Sequence, residues 1–143
     1  MRSKCRVERE ELTLAQLNEA GSRLFPGLLG IEVDDVADGV VQARLGVQEK
    51  HLAPNGFLHA GAVVALADTA CGYGCILSLP EGATGFTTIE LKTNFLRTTL
   101  TGTIGCAAKL AHGGRTTQIW DATVSDADGR AMALFRCTQL VLR

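Results

Sequence analysis

His59, Ala60 and Gly61 stand at the mouth of a long apolar stretch, and Asp68, nine residues after the histidine, is the one charged residue within it. From Leu58 to Leu79 the chain reads LHAGAVVALADTACGYGCILSL. A carboxylate in such surroundings is costly to bury unless it is paired, hydrogen-bonded or used. If it is used, its chemistry is that of a general base or a nucleophile. A helix starting at His59 to Gly61 presents free N–H groups and a dipole to an incoming negative charge. Asp68 then falls about two and a half turns along the same helix. The competing structural uses are an N-cap or an interface ion pair for Asp68, and a helix cap for His59.

The other reactive residue types carry weaker patterns. His51 and His112 read as surface or loop histidines, and three histidines well apart give no metal-ligand spacing. Ser78 and Ser125 have no nucleophile context. Gly113-Gly114-Arg115 is not a phosphate-binding glycine loop, because it sits between strands with no helix after it. The five cysteines are Cys5, Cys71, Cys75, Cys106 and Cys137. They include no C-x-x-C pair, and they read as small buried hydrophobes of a reducing compartment. Cys71 and Cys75, four apart, share one helix face.

These residues need elements to position them. A chain of 143 residues, 46% hydrophobic and 20% charged, suits a single domain spanning 1–143 with a sizeable core. The net charge of -1 gives no support for nucleic-acid binding. The charged start lacks an apolar secretory region, and the longest apolar stretch is interrupted by Asp68 and glycines. No membrane and a cytoplasmic location are therefore expected. Residues 1–10 read as a flexible, solvated terminus. From Leu12 to Phe25 the apolar residues recur at helical spacing, with Thr13 and Gln16 as a capping box and Pro26-Gly27 as the stop.

A hairpin follows, with Leu29, Ile31 and Val33 alternating against Val41, Ala43 and Leu45 across an Ala37-Asp38-Gly39 turn. Residues 47–58 form a polar loop turning at Pro54-Asn55-Gly56. The apolar stretch from about Gly61 to Leu79 is too long for a strand and rich in alanine, so it reads as a helix ended by Pro80-Glu81-Gly82. It is apolar nearly all round and should be buried. Four alternating strands complete the chain. Phe86, Thr88, Glu90 and Lys92 share one face of the first, and Gly113-Gly114 and Asp128-Gly129 form hairpin turns. Turn-joined strands imply an antiparallel sheet, and a sheet curled around one buried helix is the simplest assembly. The class is α+β, with an N-terminal helix.

The stretch from His51 to Gly61, with Asp68 nine residues after His59, resembles the signature of hotdog-fold thioesterases of the PaaI type. That signature runs H-x-N-P-x-G-x-x-H-G-G and then Asp or Glu. The strand TTIELKTNFLR resembles the family's T-x-D-L-x-x-x-F-L-R, and the likeness covers about residues 29–142. The resemblance implies an antiparallel sheet wrapped around a long central helix. It implies an acyl-CoA thioesterase that yields free acid and CoA, working without a cofactor and named in the family for phenylacetic acid degradation. It also implies self-association as a homodimer in which two sheets join, or a homotetramer, with active sites at the subunit interface.

By the same resemblance Asp68 is the nucleophile or general base, the Ala60 amide polarises the thioester carbonyl, and Thr88 positions water. His59 at the helix mouth counts with the catalytic residues, and Gly61, beside that amide, with those that bind substrate. Phe57, Leu58, Tyr73, Leu77 and Leu79 are candidates for an apolar acyl or aryl pocket. Arg97, Lys109 and Arg115 lie near strand ends where cations meet CoA phosphates. Two departures stand out: the family's H-G-G is His59-Ala60-Gly61, and its polar Asn or Gln six residues before the histidine is Ala53. Asn55 is the nearby substitute. A hotdog hydratase acting on an enoyl or hydroxyacyl thioester, and a non-catalytic acyl-CoA binding protein, are the alternatives.

Overall fold

The computed structural model describes residues 12–143. The terminal segment 1–10 and Cys5 lie outside the described residues. α1 spans Leu14–Gly21 and starts at the expected capping box. Thr13 Oγ1 accepts from the Gln16 N–H at 3.2 Å, and the Thr13 N–H donates to Gln16 Oε1 at 2.8 Å. The helix ends earlier than the periodicity suggests. Pro26 does not stop it but sits in the first turn of a second helix, α2, Phe25–Leu29, where a missing N–H costs nothing. Gly30 ends α2 with φ +81°.

β1 (Ile31–Ala37) and β2 (Val40–Gly46) form the expected hairpin. Asp38 and Gly39 carry φ of 54° and 73°, the two positive values a tight two-residue turn needs. Ile31, Val33, Val41, Ala43 and Leu45 face inward and are buried. Leu29, expected in this strand, belongs to α2.

α3 runs Ala60–Leu77, close to the range read from its composition. β3 (Gly85–Phe95), β4 (Thr103–Gly113), β5 (Thr117–Ser125) and β6 (Ala131–Leu142) follow. All six strands make one antiparallel sheet in the order β1-β2-β4-β5-β6-β3. β3 therefore does not pair with its successor in sequence. It crosses to the far edge beside β6, because the segment between Phe95 and Thr103 is a connection and not a tight turn.

The sheet curls around α3, whose buried Ala62, Val63, Ala65, Leu66, Ala67, Ala70, Cys71 and Cys75 meet Ile104, Cys106, Ala108, Trp120, Val124, Phe135 and Cys137 in one core. Each fully buried Leu, Val or Ile there is worth about 1.5–3 kcal/mol. Gly74 lets the Trp120 ring lie against the helix backbone: a Cβ there would come within 2.4 Å of the indole.

Two expectations need correction. α3 was expected to be buried all round, yet Ala60 and Gly61 are exposed and Val64, Asp68 and Thr69 are only half-buried. The sheet of one chain covers one side of the helix. α3 has the length and hydropathy of a membrane span, but its apolar side is spent on this core. The other correction concerns β3. Its ladder with β6 shifts register between Thr88 and Glu90, a bulge centred on Ile89. Phe86 and Thr88 are cross-strand partners of Val141 and Gln139, whereas beyond the bulge Leu91, Thr93 and Phe95 oppose Cys137, Phe135 and Ala133. Glu90 and Lys92 thus leave the face that Thr88 occupies.

Candidate active site

The loop before α3 is tied down by backbone and by one histidine. His51 is not a surface residue; it is 2% exposed. Its Nδ1 accepts from the Gln48 N–H at 2.9 Å and its Nε2 lies 2.7 Å from the Leu29 carbonyl. With Nδ1 accepting, the ring proton sits on Nε2 and is donated to that carbonyl. The His51 carbonyl in turn accepts from the His59 N–H at 2.9 Å. Through its ring and its backbone carbonyl, His51 therefore joins the end of α2 to the start of the central helix. Its polar neighbours in sequence concealed this.

The turn between them closes through Gly56 N–H to the Ala53 carbonyl at 2.9 Å and Ala53 N–H to the Phe57 carbonyl at 2.7 Å. Gly56 takes φ +85°, which favours glycine. Asn55 is exposed, and its Oδ1 accepts from the Phe57 N–H at 3.1 Å. That side chain shapes the turn and is committed to it.

His59 is the N-cap of α3, extended at φ -63° and ψ 131°. Its Nδ1 accepts from the Gly61 N–H at 2.8 Å. Gly61 therefore has no free amide to offer, and the Nδ1 of His59 is occupied. The Ala60 N–H, at the first helical position, has no hydrogen-bond partner among the described residues. It lies at the positive end of an 18-residue helix and is exposed. A free amide in such a place is able to stabilise an oxyanion. Alanine serves as well as glycine here, because the helical position needs no positive φ.

Ala60 also lines a cavity of about 340 Å³, with Phe57, Leu58, Val63, Phe95, Leu96, Arg97, Thr98 and Met132. The walls are mostly apolar. Arg97 stands at the rim, with Nε donating to the Ala131 carbonyl at 3.0 Å. Of the residues expected to shape an apolar pocket, Phe57 and Leu58 are there. Tyr73, Leu77 and Leu79 are not; Tyr73 reaches toward Gly21 of α1. Arg115 sits in the β4–β5 turn, where its carbonyl accepts from Arg143. That places it at the Leu142 end of β6, the opposite end of the sheet from Arg97.

Asp68 projects from α3 toward β3, where Thr88 Oγ1 lies 3.1 Å from its Oδ1. Thr88 Oγ1 also lies 2.8 Å from Oε1 of Gln139, which is fully buried. Burial pushes the Asp68 carboxyl above its ordinary range, and the Thr88 hydrogen bond opposes this more weakly. Oδ2 of Asp68 has no hydrogen-bond partner among the described residues. Gln139 was absent from the sequence reading. Its signal was a lone amide at an inward position of the last strand. Among the described residues no cluster of three His, Cys, Asp or Glu is placed to hold a metal.

Ala60 and Asp68 are thus both present, but eight residues apart on one helix, about 12 Å along its axis. Attack on a carbonyl needs the nucleophile and the oxyanion donor each about 3 Å from the same group. One chain alone therefore cannot bring the Ala60 amide and the Asp68 carboxylate to one carbonyl.

The thioesterase superfamily matches residues 55–133, from the end of the loop through α3, β3, β4 and β5 to the start of β6. A thioesterase of Pseudomonas aeruginosa superposes with a TM-score of 0.89 at 31% identity, covering 94% of this chain and 96% of that one. The 1,4-dihydroxy-2-naphthoyl-CoA hydrolase of Escherichia coli is 29% identical over 139 residues, 95% of this chain and 99% of that protein. A Staphylococcus aureus thioesterase superposes with a TM-score of 0.78 at 25% identity, over 82% of this chain and 98% of that one. It has been solved with a glutamine changed to alanine and, separately, with a glutamate 15 residues further on changed to alanine. Ala53 and Asp68 stand at the same interval here. With a family match over more than half its length and these relatives across nearly all of it, this chain belongs to the thioesterase superfamily, has the hotdog fold and is a thioester hydrolase.

Proposed function

We propose that this chain hydrolyses an aryl- or medium- to long-chain acyl-CoA to the free acid and CoA, with the acyl group in the cavity beside Phe57. The observation that carries this is the half-buried Asp68, the single charged residue of α3, held by Thr88 with one oxygen free. In this reading the free Oδ2 is the reacting oxygen, as general base toward water or as nucleophile on the thioester carbon. The Ala60 N–H receives the oxyanion, and one such donor is worth about 3–4 kcal/mol in the transition state. His59 positions that amide by capping the helix. The departing thiolate needs little acid assistance.

The 12 Å between Ala60 and Asp68 argues for a homodimer in which each site takes the amide from one chain and the carboxylate from the other. Of the two edge strands, β1 and β3, β3 is the one suited to joining: it is 11 residues long, and Ile89, Leu91 and Phe95 on it are each more than two-fifths exposed. A two-fold partner joined antiparallel at β3 also covers the open side of α3. It brings its own Arg115 end toward the Arg97 of this chain, so that both cations flank one CoA. A tetramer of two such dimers fits the same reading.

Membership of the PaaI type, and with it phenylacetic acid degradation, is part of this proposal. A cytoplasmic location is proposed too, and four unbridged buried cysteines suit a reducing compartment. Ala53 lacks the polar side chain of the family pattern, which favours a slow enzyme. The test is release of free CoA from a panel of aryl- and acyl-CoAs by wild type and Asp68→Ala. Activity in the wild type that Asp68→Ala abolishes is expected; equal activity in both overturns the assignment. CoA binding without turnover supports the non-catalytic reading that Ala53 favours.

A further inference from the structure

Gln139 faces α3 from β6 as the cross-strand partner of Thr88, beside the Ile89 bulge, and is fully buried. A buried amide must be satisfied on both its oxygen and its nitrogen. Its oxygen lies 2.8 Å from Thr88 Oγ1, and its nitrogen 3.4 Å from Cys137 Sγ. Thr88 Oγ1 lies also 3.1 Å from Asp68 Oδ1. The hydroxyl has one proton and cannot donate to both oxygens.

Two proton patterns satisfy the same heavy-atom positions, because the amide oxygen and nitrogen exchange places with little change of shape. With Asp68 neutral, its O–H donates to Thr88, the Thr88 O–H to the amide oxygen, and the amide N–H to Cys137. With Asp68 ionised, every donor reverses. Cys137 S–H donates to the amide oxygen, the amide N–H to Thr88 Oγ1, and the Thr88 O–H to the carboxylate. The titratable groups around this chain are Cys71 on α3, Cys137 on β6 and Cys106 on β4. The Cys71 thiol is held well above its ordinary value, first by its hydrogen bond with Cys137 and then by burial. Burial pushes the Cys106 thiol up to about 12. Both thiols stay protonated while Asp68 titrates, and among the described residues no cation contributes to the Asp68 shift.

We infer that Gln139 is a positioning residue for thioester hydrolysis: its amide turns over with the charge on Asp68 and holds the Thr88 proton on the carboxylate. The inference rests on Asp68 being the reacting acid. In the ionised pattern Oδ1 is pinned and Oδ2 is left to react. An apolar group at position 139 leaves Thr88 free to rotate, and the carboxylate loses its fixed bearing.

The test is a double-mutant cycle on turnover of benzoyl-CoA or octanoyl-CoA, whichever the wild type hydrolyses faster. Gln139→Met keeps the shape and removes the amide. It should lower kcat about five- to tenfold with KM within about twofold, the effect of one hydrogen bond that acts in the transition state. In a Thr88→Val background the same change should lower kcat no further. Unchanged kcat in Gln139→Met overturns the inference. So does an equal loss in both backgrounds, which marks a structural role. If Gln139→Met does not fold, Gln139→Leu, which also removes both donor and acceptor, is read in the same cycle against the same two outcomes. Asp68→Asn separates this inference from the functional one. An active Asp68→Asn overturns both; an inactive one with a silent Gln139→Met overturns the positioning role alone.

Discussion

Two inactive chains should repair one another. The perturbations are Ala60→Pro and Asp68→Asn. Proline at position 60 removes one N–H and little else, because Ala60 is the first residue of α3, where proline is favoured. His59 before it is already extended at φ -63° and ψ 131°, the conformation a following proline requires. The Gly61 N–H to His59 Nδ1 cap is retained. Loss of one oxyanion donor should lower kcat about 10²- to 10³-fold, and Asp68→Asn removes the reacting oxygen outright.

If each site takes Ala60 from one chain and Asp68 from the other, a mixed dimer has one site with both groups and one with neither. Random pairing makes about half the dimers mixed, so coexpressed variants should recover about a quarter of wild-type activity per site. The assay is CoA release by the purified mixture against each variant alone. Recovery near zero would mean that both groups act from one chain, and would refute a site shared between two chains.

Other expectations follow from single contacts. Asp68 is held above its ordinary range by burial, so kcat/KM should fall on the acid side at a pH above the usual carboxylate value; a limb at that ordinary value would contradict the burial. The same raised carboxyl favours the fold fully below its unfolded value of 3.8, and this contribution is lost as pH rises through the folded value. Asp68→Asn should therefore melt higher than wild type at about pH 7, with the gap closing near about pH 4. Ala53→Gln should raise kcat about tenfold, since the turn at Ala53 uses only its backbone; an unchanged kcat would mean that no missing donor limits the rate. Gly74→Ala places a methyl 2.4 Å from the Trp120 ring, which Gln118 holds through a 2.8 Å bond from Nε1. It should cost about 2 kcal/mol net of helix propensity, read as a lower urea midpoint at constant slope.

The central helix was legible because alanine-rich apolar sequence of that length has one cheap conformation, and Asp68 stood out within it. The first hairpin was legible from Asp38-Gly39. The destination of β3 was not. Pairing partners far apart in sequence leave no local signature, and alternation alone is blind to a bulge that resets its phase at Ile89. The end of α1 was misread because proline serves at a helix start as well as it ends one. At the candidate site, Asp68 drew attention as the one charge in an apolar run, and the Ala60 amide through the family resemblance and the expected helix start. His51 and Gln139 were not legible, since their roles come from partners brought in by the fold: the Leu29 carbonyl for one, Thr88 for the other.

The bulge on β3 makes Ile89 a removable residue. Without it, Thr88, Glu90 and Leu91 fall into plain alternation and the ladder with β6 closes without a step. Loss of one codon is thus a milder edit to this strand than many substitutions. It straightens the local twist that bulges introduce, and so changes how the threonine hydroxyl is aimed across the gap to the helix. The aim of the Asp68 carboxyl is in this sense set by a length, counted in residues of an edge strand, as much as by any side chain. A one-residue deletion there is a way for descendants of this sequence to retune the site while every residue named in it stays the same.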